Sequence, residues 1–340
     1  MDLHITRRLL GWAGEQRALS REAIEASLEV SGLRPGIAEW RDFAMRVMQA
    51  AGVLSLAAGA VFLVAYNWQS LGVYGRFATL ELPLLLALAL AWAKGVDRLS
   101  GRLALLLSVF LTGALLALFG QTYQTGADLY ELFLVWALLA VPWTIACRWS
   151  PCWALWFLVL NVAASLYAEQ AGIVFFGLLS PRLGLTPWAL PFFLNVVAYV
   201  AVETLSRAKK WGFGDRWLGR GLMAAAMAFG TFIMILRISR MFGFEDSPGI
   251  AWLELSLFVA ASAGIFVYAN WRQEDLFPFA VLGLSWVVAT TTLIGRLMVE
   301  HDAGFWALFI IALYVIGASS AAVKAITWIG RRWKVQEAAQ

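Results

Sequence analysis

After a polar to amphipathic opening of about 41 residues, the chain becomes a succession of long apolar runs separated by short polar turns. A helix needs about 20 apolar residues to cross a bilayer. Hydropathy predicts spans at 43–66, 77–93, 103–120, 129–147, 151–168, 188–206, 219–237, 250–270, 276–298 and 305–329. The run Ile173–Leu179 is apolar but too short to cross and reads as a re-entrant or surface piece. Ahead of the first span, Ser20 is placed to cap a helix whose first turn holds Glu22 and Glu25. Gly32 and Pro35 stop that helix, and a new one from about Ile37 runs into the first span. Its Trp40 and Arg41 fall at headgroup level. A secretory signal would place its apolar core much earlier, so the stretch from near Phe43 is expected to act as an uncleaved anchor.

Composition narrows the class. Of 340 residues, 61% are hydrophobic and only 14% charged, against about 25% charged in an ordinary soluble domain. Mean hydropathy is +0.73. So few charges cannot cover that much apolar surface in water, which excludes a soluble enzyme, a disordered chain and a nucleic-acid-binding module. The fold class is therefore all-α: a polytopic integral membrane protein of about ten transmembrane helices. The 18 tryptophans fit this, because Trp gathers at membrane interfaces.

Charge sets the expected orientation. With a cytoplasmic N-terminus, the cytoplasmic pieces carry 19 Lys and Arg and the outer pieces five, namely Arg76, Arg182, Arg237, Arg240 and Arg296. Both termini are then cytoplasmic. The high pI of about 9.2 marks the face that meets anionic lipid rather than nucleic acid. Three parts follow: a cytoplasmic amphipathic segment (1–42), a transmembrane domain (43–330) and a basic cytoplasmic tail (331–340). Cys147 and Cys152 share a short loop on the reducing side, where a disulfide is not expected.

Leu80-Glu81-Leu82 has a partner in Leu253-Glu254-Leu255, 173 residues later. Gly120 with Gly295, and Asp128 with Asp302, keep nearly the same offset. Six spans separate the copies, the arrangement of a parallel internal repeat. Most matches in the windows around them are Ala or Leu, which recur by chance at this composition.

Asn67-Trp68 follows the first span. Gly120-Gln121-Thr122-Tyr123-Gln124 and Gly126-Ala127-Asp128 then lead into the run from Leu132 through Trp136 to Pro142. These motifs resemble a family of bacterial predicted membrane proteins, domain of unknown function 2157, mainly over residues 1–145. The resemblance implies a bacterial inner-membrane address and assigns no catalytic residue.

Ionisable groups inside spans are costly and often functional. Glu81, Glu131 and Glu254 fall within about a turn of the outer span ends. Asp128, Gln121, Tyr123, Gln124, Arg76, Arg237, Arg240 and Arg296 fall at the same level, while Glu203 lies near the cytoplasmic side. One reading is an outward-facing polar vestibule built from Glu81, Gln121, Tyr123, Asp128, Glu131, Arg237, Glu254 and Arg296. Its carboxylates would take a cation or proton and its arginines an anionic group. The simpler reading is that these groups snorkel to headgroups or pin helix ends together.

Asn161 and Asn195 sit in mid-span and are expected to bond across helices. Thr290, Thr291 and Thr292 are expected to bond back to their own helix. Met223, Met227, Met234 and Met241 share one helix face, which suits a packing seam better than Cu(I). His4 and His301 are predicted on opposite sides, so no metal site and no cofactor are expected. There is no phosphate loop, dinucleotide fingerprint, G-x-S-x-G or H-E-x-x-H. Three functions remain: a transporter-like or ligand-sensing protein using the vestibule, a scaffold that positions a protein partner through residues 1–41, and a lipid-acting enzyme. The expected partners are the lipid bilayer and that protein, not nucleic acid.

Overall fold

The structure is a computed structural model that describes residues 20, 22, 23, 26, 36–170, 186–207, 215–240, 248–270, 275–301 and 304–338. The described residues form ten α-helices and no strand. They are α1 (Ile37–Tyr66), α2 (Val73–Lys94), α3 (Leu99–Tyr123), α4 (Leu129–Cys147) and α5 (Ser150–Gln170), followed by α6 (Ala189–Arg207), α7 (Arg216–Arg240), α8 (Pro248–Tyr268), α9 (Phe277–Glu300) and α10 (Gly304–Ala338). Nine of these are long and apolar enough to cross a membrane, and α8 carries a shorter apolar stretch, Leu253–Tyr268.

Every predicted span has its helix. Two ends depart most from the hydropathy reading. α1 begins at Ile37, as the lead-in helix requires, and α10 continues to Ala338 through the basic tail. At 35 residues α10 is about 52 Å long, well beyond a hydrocarbon core of about 30 Å, so its end must leave the bilayer. Ser20 does cap: its Oγ accepts the Ala23 N–H at 3.2 Å. The short apolar run Ile173–Leu179 and most of residues 1–35 lie outside the described residues.

Helix ends are set locally. Asp128 and Glu131 form a capping box at the start of α4, with the Asp128 N–H donating to Glu131 Oε2 at 3.2 Å. The turn between α2 and α3 needs glycine twice. Gly95 has φ +79°, and a Cβ on Gly101 would lie 2.1 Å from the Gly95 carbonyl oxygen.

The packing has a repeated plan. α1 packs on α2 and α3, α2 on α3, and α3 on α4. The same set recurs six helices later: α7 on α8 and α9, α8 on α9, and α9 on α10. This is the arrangement that a parallel repeat at that offset would produce. α5 and α6 join the halves, α5 against α3 and α4 and α6 against α7. α3 is the hub of its half, with 56% of its apolar stretch buried, whereas none of that of α10 is.

Several polar groups in the spans are paired. Asn161 on α5 and Asn195 on α6 exchange amide hydrogen bonds of 3.2 and 2.5 Å, and each also donates to its own helix. Thr290, Thr291 and Thr292 each donate to the carbonyl four residues back. Met223, Met227 and Met234 are buried among Phe192, Phe258 and Leu282, a packing seam as expected; Met241 lies outside the described residues.

One expectation is overturned. Cys147, the last residue of α4, and Cys152, in the first turn of α5, are joined in a disulfide with Cα atoms 6.6 Å apart. The expectation rested on compartment chemistry alone. The tight turn decided otherwise: Arg148 adopts the left-handed conformation (φ 45°) and folds α5 straight back on α4, burying both sulfurs together.

The amide pair should be measurable. Asn161→Leu and Asn195→Leu, alone and together, should give a coupling of about 0.6–1.7 kcal/mol in a double-mutant cycle of unfolding in bicelles, the range for cross-helix polar pairs. Zero coupling would show that the two amides do not hold α5 to α6.

Candidate functional site

The sequence-predicted polar residues occupy three separate places. The first is the turn from α3 to α4. Gln121 and Tyr123 are exposed on the last turn of α3, and the Tyr123 ring lies 4.8 Å from Phe119 and 6.2 Å from Phe77 of α2. Asp128 and Glu131 cap α4, and Asp128 Oδ1 also accepts from Gln170 Nε2 at the end of α5. A short polar rim thus joins the ends of α3, α4 and α5. The second place is Glu81, on an exposed face of α2.

The third place is buried. Glu254 on α8 is 4% exposed and Arg237 on α7 is 8% exposed. Arg237 Nε donates to Glu254 Oε2 at 2.5 Å. The other carboxylate oxygen, Oε1, accepts the backbone N–H of Thr186 at 2.5 Å. Glu254 also lines a small pocket with apolar side chains and one glycine, Phe192, Phe193, Gly230, Met234, Leu257 and Phe258 among them. Arg296 is partly buried on α9.

The local sequence explains this centre. Thr186-Pro187 opens α6, and the first N–H groups of a helix have no partner within it. The partial positive charge there favours a carboxylate. Glu254 lies in the early turns of α8, close enough to reach it, and Arg237 lies in the last turn of α7. Three helix ends therefore meet on one carboxylate. Charge-assisted hydrogen bonds on both oxygens compensate its removal from water.

Sequence reasoning selected both charged residues but did not pair them, and it missed Thr186. The only signal for Thr186 is the Thr-Pro helix start. It also left Glu203 without a partner, whereas Tyr268 Oη donates to Glu203 Oε1 at 2.6 Å. Glu81, Glu131 and Glu254 lie on helices with different neighbours: α2 packs on α1 and α3, α4 on α3 and α5, and α8 on α7 and α9.

Ten helices among the described residues, nine of them long and apolar enough to cross a membrane, define a polytopic α-helical membrane protein. Residues 12–153 match the family model described as "Predicted membrane protein (DUF2157)", the family that the motifs between Asn67 and Pro142 resemble. No curated protein and no solved structure matches the chain.

Removing one member of a buried ion pair strands the other. Glu254→Gln or Arg237→Gln should each cost about 3–5 kcal/mol, seen as a lower Tm in mild detergent. The apolar double variant Arg237→Met/Glu254→Leu should recover most of that loss. Single variants as stable as the wild type would show that the pair is not held.

Proposed function

We propose that this membrane protein resides in the bacterial inner membrane with both termini cytoplasmic and acts as a transporter-like or ligand-sensing protein rather than as an enzyme. The observation that carries this reading is the buried Arg237–Glu254 pair closed over the Thr186 N–H. An ion pair at span depth is weak support for stability, and apolar residues of similar size serve packing at least as well. Ionisable groups kept there are more readily explained by a working part.

In this reading the pair works between two arrangements. In the closed one, Arg237 neutralises Glu254. An anionic ligand on Arg237, or a proton on Glu254, would free the partner and loosen the junction of α6, α7 and α8. The rim of Gln121, Tyr123, Asp128 and Glu131, with Glu81 and Arg296 at the same level, supplies the polar surface by which a ligand approaches from outside. The Lys/Arg bias supports the orientation. The scaffold reading draws no support from the described residues, because the segment proposed to hold a partner lies almost wholly outside them.

Thiol accessibility tests the geometry, and complementation tests the role. With Cys147 and Cys152 replaced by Ser, single cysteines at 81 and 131 should react with a membrane-impermeant reagent added from outside. A cysteine at 254 should stay protected. Reaction of 131 only from the cytoplasmic side would overturn the orientation. In a strain deleted for the gene, Arg237→Met/Glu254→Leu should insert normally and fail to restore the deletion phenotype. Full complementation by that variant would remove the pair from function.

A further inference from the structure

A large cavity lies in the other half of the molecule, on helices that do not carry the ion pair. α1 and α4 both pack on α3, and the gap between them over the α3 face is a cavity of about 770 Å³. Ligand sites usually fall between about 300 and 1,000 Å³. Small residues open it: Ala57, Ala58 and Ala65 on α1, and Gly113, Ala114 and Ala117 on α3. Leu132, Phe133 and Trp136 of α4 form the opposite wall. Gln121 is the one polar side chain in the lining, and it stands at the end of α3.

This groove is built rather than left over. The Trp136 indole N–H donates to the Val109 carbonyl at 2.8 Å, which fixes the ring against α3. Only glycine allows that approach, since a Cβ on Gly113 would lie 2.4 Å from the indole. At the Gln121 end, Trp68 lines the cavity and carries Arg76 on its ring, with the guanidinium carbon 3.8 Å from the centroid. Arg76 Nε and Nη2 donate to the Leu71 and Trp68 carbonyls, so its head is pinned there. No carboxylate neutralises Arg76 among the described residues. The whole lining falls between Leu54 and Trp136, inside the family-matched residues 12–153. The motifs that carry the family resemblance contribute Trp68, Gln121, Leu132, Phe133 and Trp136 to it.

We propose that this groove holds an acyl chain of an anionic glycerophospholipid, with Arg76 and Gln121 at its headgroup. An open apolar groove within spanning helices meets hydrocarbon, not water. The chain therefore has to come from an amphiphile already in the membrane. A positive charge fixed on the Trp68 ring, with the Gln121 amide in the lining, selects a phosphate-bearing, negatively charged head. The inference is independent of the Arg237–Glu254 pair, which lies on helices that do not line the groove.

The full chain in nanodiscs, with phosphatidylglycerol carrying a photoactivatable acyl chain, provides the test. Crosslinks should concentrate on α1, α3 and α4 around residues 54–136, above the level on the lipid-facing residue Leu308 of α10. Unlabelled phosphatidylglycerol should compete roughly tenfold better than phosphatidylcholine, as one charge-assisted contact implies. Ala117→Trp should fill the groove and abolish the excess. Arg76→Gln should erase the preference for the anionic lipid while keeping the chain crosslinks, and Arg76→Lys should keep part of that preference. Crosslinks as strong at Leu308 as in the groove, or equal competition by the two lipids, would overturn the proposal. If Ala117→Trp misfolds, the Arg76 variants still decide the headgroup.

Discussion

The bilayer interior offers no hydrogen bonds, and that one condition governs most of this molecule. Every backbone N–H and C=O at that depth has to be satisfied within its own segment, so the chain becomes helices joined by short turns. The same condition disciplines the side chains. Threonines bond to their own helix, the Asn161 and Asn195 amides bond to each other, and Glu254 finds both a cation and a helix N-terminus. In water each of these groups would have had an easy alternative.

Hydrocarbon on all sides also removes the usual drive to bury apolar faces. Helix association then depends on close fit and on polar contacts. α3 shows the fit, with Gly101 under one turn and Gly113 under an indole ring. α10 shows the opposite case, its apolar stretch unburied and thus lipid-facing. The two halves share one plan of helix contacts but use it differently. The first half leaves a groove over its central helix, whereas the second holds a charged centre between α7, α8 and the start of α6.

What could be read from the sequence divides along the same physical line. Span positions were legible because twenty consecutive apolar residues have no other stable use. The roles of Ser20 and Thr290 were legible too, because each depends on neighbours three or four residues away. The Cys147–Cys152 bond was misread because compartment chemistry was weighed where turn geometry decided. The groove was invisible, since alanine, glycine and leucine in a span carry no chemical signature of the space they leave.

The sequence by itself determined the class of protein and the positions of its long apolar helices. These follow from composition and short-range periodicity, which act along the chain. Only the tertiary structure decided that Asn161 meets Asn195, that Glu254 meets Arg237 and the Thr186 N–H, and that α1 and α4 stand apart over α3. Those outcomes depend on how helices rotate and cross against one another. In a bilayer the rotation is set by a few close contacts between distant residues, and hydropathy, nearly uniform around each helix, does not record it.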